Sequence, residues 1–165
     1  ELISTVDEAK RPFLLKQALA DFLADHEMDY VFIDCPPSLG MLTINALAAV
    51  KEVLIPIQCE FYALEGVQQL LRTIEFAKER LNPDLEVSTI LLTMYNSTTN
   101  LSASVVEEVR GFFGKKVLDT VIPRSIYVAE APSFGQSVMT YDPGSTGAVA
   151  YLAAAREITE RKQKG

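Results

Sequence analysis

The chain is 165 residues long, carries a formal net charge of −7 and is 48% hydrophobic, which suits one globular domain or part of one. Its apolar runs are too short to cross a bilayer, and its two cysteines show no metal-ligand spacing, so we expect a cytoplasmic protein. Residues 1–100 contain 7 Lys/Arg and 15 Asp/Glu, whereas residues 101–165 contain 8 Lys/Arg and 7 Asp/Glu. Any basic patch that binds nucleic acid should therefore lie in the last third of the chain.

Hydrophobic periodicity predicts that helices and strands alternate along the chain. Apolar residues spaced by three and four mark amphipathic helices, and short apolar runs mark strands buried on both faces. This alternation is typical of an α/β fold with a parallel sheet and flanking helices. In chain order we predict a helix over 10–26, a strand over 30–34, a helix over 39–50, a strand over 53–57, a helix over 64–81, a strand over 88–93, a helix over 102–113, a strand over 117–122, an irregular segment over 127–143 and a helix over 146–162.

Local cap signals support three of the predicted helix ends. His26 stands at the end of the first helix, where capping or exposure is favoured because a cation suits the helix dipole there. Ser102 is predicted to be the N-cap of the helix that follows the third strand. Gly114 is predicted to end that helix, since glycine readily adopts the backbone conformation of a helix terminus.

The stretch from Tyr30 to Gly40 is the most informative for chemistry. A predicted strand ends in the carboxylate of Asp34, and Pro36 and Pro37 then stiffen the loop that leads to Gly40. Ligands of open α/β sheets lie at the carboxyl ends of strands, and a strand-end aspartate is where nucleotide-hydrolysing proteins hold Mg²⁺. On spacing alone, Asp34 could equally be a cap of the following helix.

The segment Asp34-Cys35-Pro36-Pro37-Ser38-Leu39-Gly40 resembles the Walker B/switch II segment of ParA/Soj chromosome- and plasmid-partition ATPases, relatives of MinD with a deviant Walker A motif. Five further stretches resemble the same family in the same order: Ile55 to Gly66, Leu91 to Met94, Val121 to Arg124, Ser125 to Gly135 and Tyr141 to Pro143. The resemblance implies a P-loop NTPase fold similar to the nitrogenase iron protein. It covers nearly the whole chain from about Leu14 onward.

The sequence contains no phosphate-binding loop of the kind that cradles a nucleotide. Such a loop needs glycines whose N–H groups contact the phosphates, followed by a lysine. Gly114-Lys115-Lys116 lacks the earlier glycine and the Ser/Thr, and it follows a helix rather than a strand. We therefore expect residues 1–165 to be the C-terminal part of a single ParA-type ATPase domain, with an incomplete sheet because N-terminal strands are absent. By itself this chain is expected to bind neither ATP nor Mg²⁺ and to be inactive as an ATPase.

The resemblance implies which residues would serve the nucleotide in the complete protein. Asp34 would be the catalytic residue that holds Mg²⁺ through a water, and Gly40 would contact the γ-phosphate through its backbone. The adenine would lie against the ends of later strands, at Thr93 and Met94 and at Pro123 and Arg124. On spacing alone, a core methionine and a turn proline account for Met94 and Pro123 equally well.

Glu60 and Glu65 flank the start of a predicted helix. Paired carboxylates suggest acid–base work in a generic enzyme, but this spacing also suits capping and interaction with the helix dipole. The resemblance implies a third role, at or near the interface of an ATP-sandwiched homodimer, and we predict that role for both residues.

DNA contacts are expected from a few basic residues only. Family members often carry arginines at positions that hold Thr98 and Tyr127 here, which implies weaker or relocated binding. Sequence-independent affinity for DNA depends on the number of phosphates neutralised. The basic residues that remain as candidates are Arg124, Lys115, Lys116 and Arg110.

The resemblance implies a DNA-segregation ATPase whose ATP-dependent dimer binds DNA nonspecifically and is stimulated by a ParB-type centromere-binding partner. Such a protein would be nucleoid-associated in the cytoplasm. The alternatives are a MinD-like membrane-positioning ATPase and a non-catalytic interaction module. A membrane-binding C-terminal helix needs bulky apolar residues beside its lysines. Ile158 is the only large apolar residue in the sequence of residues 156–165, so we expect no stable membrane association.

One structural expectation follows from the missing P-loop strand. In the family fold that strand lies between the strands predicted over 30–34 and 53–57. Without it, two rows of backbone groups lose their partners, at a cost of about 1–3 kcal/mol for each buried group. We expect these strands to pair directly, to recruit a second chain or to be covered by an upstream segment.

Overall fold

The computed structural model describes residues 7–36 and 40–164. A 3₁₀ turn over Arg11–Phe13 leads into the first helix, and further 3₁₀ turns occupy Gly114–Lys116 and Ala131–Phe134. The elements in chain order are α1 (Leu14–Asp25), α2 (Met41–Ala49), β1 (Glu52–Gln58), α3 (Ala63–Arg80), β2 (Glu86–Tyr95), α4 (Asn100–Phe113), β3 (Val117–Pro123), α5 (Ile126–Glu130), α6 (Val138–Tyr141) and α7 (Thr146–Lys164).

The chain divides into two compact units, the first formed by residues up to Val53 together with Gln68–Glu86. In this unit α1 packs against α2, and the buried amide of Asn45 links them. Its side chain donates to the carbonyl of Arg11 at 2.8 Å and accepts from the backbone N–H of Leu15 at 3.2 Å. Asn82, also buried, donates to the carbonyl of Leu47 at 2.9 Å. Two buried amides thus satisfy backbone groups that the helix ends leave unpaired.

The second unit, Leu54–Val67 with Val87–Gly165, contains most of a three-stranded sheet in the order β1–β2–β3. β2 and β3 are parallel, with Ile90 opposite Val117 and Leu92 opposite Val121. Helix α7 packs on β3 around a buried cluster of Leu91, Leu118, Ile122 and Ala154. A second cluster of Ala131, Val138 and Ala148 joins the short helices to α7.

Gly147 lies where α7 approaches the segment before it most closely. A Cβ at this position would come within 2.6 Å of Cγ2 of Val128 and within 3.1 Å of Oγ of Ser125. The absence of a side chain therefore allows the first turn of α7 to contact α5.

The predicted α/β class with a parallel sheet and flanking helices is confirmed, and the helices and the three later strands lie where periodicity predicts them. His26 is the C-cap of α1, with Nδ1 2.8 Å from the carbonyl oxygen of Phe22. Gly114 ends α4 with φ of 57°, as expected for a glycine terminus.

Three local predictions are wrong. Residues 30–34 form no strand, and Tyr30, Val31 and Phe32 are exposed, with 78% of Phe32 accessible. The sheet of the described residues consists of β1, β2 and β3 and does not include this segment. The N-cap of α4 is Thr99, whose side chain accepts from the N–H of Ser102. The segment over 127–143 is largely ordered into α5, a 3₁₀ turn and α6, with Ser125 as the N-cap of α5.

In the described part of the chain, no helix combines the length and the apolar character required to cross a bilayer.

Candidate functional site

The carboxyl ends of the three strands form the edge where an α/β sheet binds ligands. In the second unit, the N–H of Cys59 donates to the carbonyl of Thr93 at 2.9 Å, and the N–H of Arg124 donates to the carbonyl of Tyr95 at 2.9 Å. These bonds continue the sheet one residue beyond β1 and β3. The chain therefore brings Thr93, Met94, Pro123 and Arg124 to one edge of the sheet.

Met94 has an unusual backbone at this edge. Its φ is 56°, the one positive value among the described non-glycine residues, and 41% of its surface is exposed. The pairing of β2 with β3 shifts register between Leu92 and Tyr95 at the same place. Irregularities of this kind cost about 1–3 kcal/mol and cluster at functional sites. Met94 is thus an exposed apolar side chain at the strand end and not a core residue.

Glu60 and Arg124 form an ion pair at the same edge. The carboxylate follows β1, the guanidinium follows β3, and β2 lies between these strands. The two side chains are 47% and 59% exposed, respectively. The sequence suggested separate roles for the two residues, and their pairing across 64 positions carries no sequence signal.

The hydroxyl of Ser102 fixes the loop after β2 and does not cap α4. Ser102 is buried, and its Oγ donates to the carbonyl of Cys59 at 3.2 Å and accepts from the N–H of Asn96 at 3.3 Å. Thr99 caps α4 in its place and also donates to the carbonyl of Asn96. The turn that precedes α4 is thereby tied to the end of β1 at the carboxyl edge of the sheet.

The aromatic residues Phe61 and Tyr62 line a groove beside β1. The two rings meet edge to face with centroids 5.1 Å apart, and more than 70% of each residue is exposed. A cavity of about 400 Å³ runs between β1 and the first turns of α3. Glu65 lies exposed in the first turn of α3, where a carboxylate suits the helix dipole.

Asp34 and Gly40 belong to the first unit. Asp34 is exposed in an irregular segment, and Gly40 is the N-cap of α2, with no side chain to bond the first-turn N–H groups. The intervening residues 37–39 lie outside the described part of the chain. In that part, no three His, Cys, Asp or Glu side chains cluster as in a protein-only metal cage. A single carboxylate nevertheless fits Mg²⁺, which keeps most of its waters and takes its other ligands from phosphates.

The other basic residues predicted for DNA lie at the opposite end of β3 from Arg124. Lys115 and Lys116 are exposed in the 3₁₀ turn before β3. The whole of β3, about 20 Å long at about 3.3 Å per residue, separates them from Arg124. Arg110 donates to the carbonyl of Asp119 at 3.0 Å, so its guanidinium is partly committed to the fold. The predicted group is therefore spread along β3.

A carboxylate that sequence reasoning missed anchors α7 to the start of β3. Glu157 accepts from the N–H groups of Asp119 at 2.7 Å and Thr120 at 2.9 Å, and it pairs with Arg161 at 2.6 Å. Arg161 also donates to the carbonyls of Lys115 and Val117. Burial alone would raise the pKa of Glu157, but the hydrogen bonds from Thr120 and Asp119 and the charge of Arg161 outweigh it and lower that pKa. The i, i+4 spacing of Glu157 and Arg161 was the available signal.

Comparison with known proteins shows which family the chain resembles. An AAA-domain family model matches residues 1–87. The chain is 50% identical over 159 residues to the chromosome partitioning protein ParA of Myxococcus xanthus, covering 96% of the chain and 56% of that protein. It is 49% identical over 158 residues to the sporulation initiation inhibitor protein Soj of Bacillus subtilis, covering 96% of the chain and 60% of that protein. The chain thus spans less than two thirds of these relatives.

Solved structures agree with the fold. A cobyrinic acid a,c-diamide synthase of Mycobacterium smegmatis, with bound ADP and magnesium, superposes with a TM-score of 0.77 at 36% identity, covering 98% of the chain and 57% of that protein. A plasmid partition protein of Borrelia burgdorferi superposes with a TM-score of 0.61 at 20% identity, covering 92% of the chain and 57% of that protein. The three-stranded sheet described above thus belongs to the P-loop NTPase fold that the resemblance implied.

Proposed function

The chain belongs to the AAA-domain family and, within it, to the ParA/Soj-type partition ATPases, and on this premise we propose that it is the C-terminal part of one ATPase domain that segregates DNA. The observation that carries the proposal is the identity of half its residues with a chromosome partitioning protein along nearly its whole length. In the complete protein an ATP-dependent homodimer binds DNA without sequence preference, and a ParB-type partner stimulates hydrolysis. Such a protein works on the nucleoid in the cytoplasm.

We propose that residues of this chain serve the nucleotide in the complete protein. Asp34 holds Mg²⁺ through a water, and the backbone of Gly40 contacts the γ-phosphate at the start of α2, where no side chain competes as a cap. The adenine lies against Thr93, Met94, Pro123 and the backbone of Arg124. Exposure of Met94 at a strand end supports this assignment because an apolar side chain there can cover a flat base.

DNA binding is assigned to Arg124 with Lys115, Lys116 and Arg110, and the homodimer interface to Glu60 and Glu65. The exposure of both lysines beside β3 supports a solvent-facing electrostatic surface. Because Arg110 bonds a backbone carbonyl, we expect it to contribute less than the lysines. Binding through such a surface weakens steeply as salt rises.

Substitution of Asp34 in the complete protein tests the proposal. Asp34→Ala should abolish Mg²⁺-dependent ATP turnover, measured as phosphate release, while the circular dichroism spectrum stays unchanged because the side chain is exposed. Asp29→Ala is the matched control, since it removes an exposed carboxylate from the same irregular segment. Unchanged turnover of Asp34→Ala would remove Asp34 from the mechanism, and absence of turnover in the unmodified complete protein would refute the ATPase assignment.

A further inference from the structure

The guanidinium of Arg124 is already engaged by an anion in this structure. Nη2 of Arg124 contacts Oε1 of Glu60, and both side chains are about half exposed. The contact joins the segments that follow β1 and β3 across the end of β2. A phosphate that approaches Arg124 from solvent therefore meets a guanidinium whose nearest partner is a carboxylate.

We propose that Glu60 is an intramolecular competitor for Arg124, so that a phosphate oxyanion binds Arg124 only by displacing this carboxylate. The inference rests on the proposed function in one respect, the assignment of Arg124 as an anion-binding residue. It adds a role for Glu60 within a single subunit, distinct from a place in the homodimer interface. The phosphate can belong to the DNA backbone or to a nucleotide, and the experiment below distinguishes these sources.

The chemistry allows such an exchange. Carboxylate and phosphate oxygens both match the planar donor fork of arginine, so one can replace the other without a change in the geometry of the guanidinium. Solvent screens an exposed ion pair and makes it weak, so Glu60 lowers phosphate affinity by a few-fold and does not block binding. A buried ion pair would prevent Arg124 from binding phosphate, whereas this exposed pair only lowers its affinity for phosphate.

The backbone around Glu60 lets its side chain move independently. The N–H of Glu60 donates to the carbonyl of Gln58 at 2.9 Å, and its own carbonyl accepts from the N–H of Ala63 at 3.0 Å. The turn before α3 is thus held by main-chain bonds that do not involve the carboxylate. Glu60→Gln should therefore remove the competing charge and leave the turn intact.

The experiment uses the complete protein with Glu60→Gln, Arg124→Ala and the double variant. Affinity for fluorescent duplexes of unrelated sequence is measured by anisotropy over a salt series with Mg²⁺ and ATP present, and affinity for ATP is measured by calorimetry. Glu108→Gln is the charge-matched control, because it removes one exposed carboxylate from α4 within the same unit.

We expect Glu60→Gln to tighten binding of one phosphate ligand by about two- to fivefold, and only when Arg124 is present. If that ligand is DNA, the slope of log affinity against log salt should steepen by up to about 0.9, the value for one added phosphate contact. Tightening of ATP alone would identify the nucleotide as the source of the phosphate. Glu108→Gln should change neither affinity by this amount.

Two results would overturn the inference while leaving the proposed function standing. One is an unchanged affinity in Glu60→Gln although Arg124→Ala weakens binding. The other is equal tightening in Glu60→Gln and in the double variant, which would reflect net charge alone. If Arg124→Ala changes neither affinity, the assignment of Arg124 itself fails, and with it the premise of the competition.

Discussion

The anchoring of α7 by Glu157 gives the most quantitative prediction for stability. Its side chain is 16% exposed and satisfies two backbone N–H groups at the start of β3 as well as Arg161. Hydrogen bonds to a charged group contribute about 1.5–3 kcal/mol each, and partial exposure of the N–H donors reduces their loss. Glu157→Gln keeps one acceptor oxygen, so we expect it to lower the free energy of unfolding by about 1–3 kcal/mol at neutral pH.

The pH dependence of this loss follows from the lowered pKa of Glu157. A carboxyl whose pKa is lower in the folded than in the unfolded state stabilises the fold above the unfolded pKa, near 4.5, and ceases to do so as pH falls through the folded value. The stability difference between the unmodified chain and Glu157→Gln should therefore be complete at pH 7 and shrink below pH 4.5.

The assay is urea unfolding followed by circular dichroism over this pH range, combined with amide exchange at Asp119 and Thr120. Both amides should exchange faster in Glu157→Gln, because their acceptor is lost or weakened. Glu160→Gln, which alters an exposed carboxylate of the same helix, should change neither stability nor exchange. Equal stability of Glu157→Gln and the unmodified chain at pH 7, or a difference that persists unchanged to pH 3, would refute the reasoning.

Three further predictions concern packing and exposure. Cys35 is exposed and Cys59 buried, so iodoacetamide should alkylate Cys35 in the native chain and Cys59 only after unfolding; equal rates would contradict this. Gly147→Ala should lower the melting temperature because its Cβ would clash, whereas Gly111→Ala, which meets open space within α4, should raise it slightly; equal effects would contradict the close approach. Phe32→Ser should reduce self-association of residues 1–165 in analytical ultracentrifugation, since Phe32 is the most exposed large apolar residue of the segment over 30–34. Unchanged association would show that this segment is not the self-association surface.

Sequence reasoning succeeded where the signal was local. Periodicity located the helices, and Gly114 marked the end of α4 because glycine alone adopts that backbone at little cost. The strand predicted over 30–34 is wrong because strand formation depends on a non-local partner. A strand exists only when a neighbour accepts its hydrogen bonds, and an apolar run such as Tyr30 to Ile33 does not specify that neighbour.

The two hydroxyls before α4 show a limit of a different kind. Thr99 and Ser102 are both good N-cap residues, and the choice depended on tertiary contacts. Ser102 is drawn into bonds with the carbonyl of Cys59 and the N–H of Asn96, which leaves Thr99 in the extended conformation of a cap.

The sequence indicated which residues lie at the candidate site better than it indicated which of them contact each other. The resemblance pointed to Thr93, Met94, Pro123 and Arg124. They lie at one edge because the carboxyl ends of parallel strands share an edge. The contact between Glu60 and Arg124 and the unusual φ of Met94 depend on how three strands align, which the sequence does not encode locally.

The central claim is that this chain is part of an ATP-dependent DNA-segregating protein. The most direct measurement is the affinity of the complete protein for two duplexes of unrelated sequence, each titrated with ATP, with ADP and without nucleotide. We expect equal binding of both duplexes with ATP and at least tenfold weaker binding with ADP or without nucleotide, a difference of about 1.4 kcal/mol or more in binding free energy. Equal affinity in all three nucleotide states, or strong preference for one duplex, would contradict it.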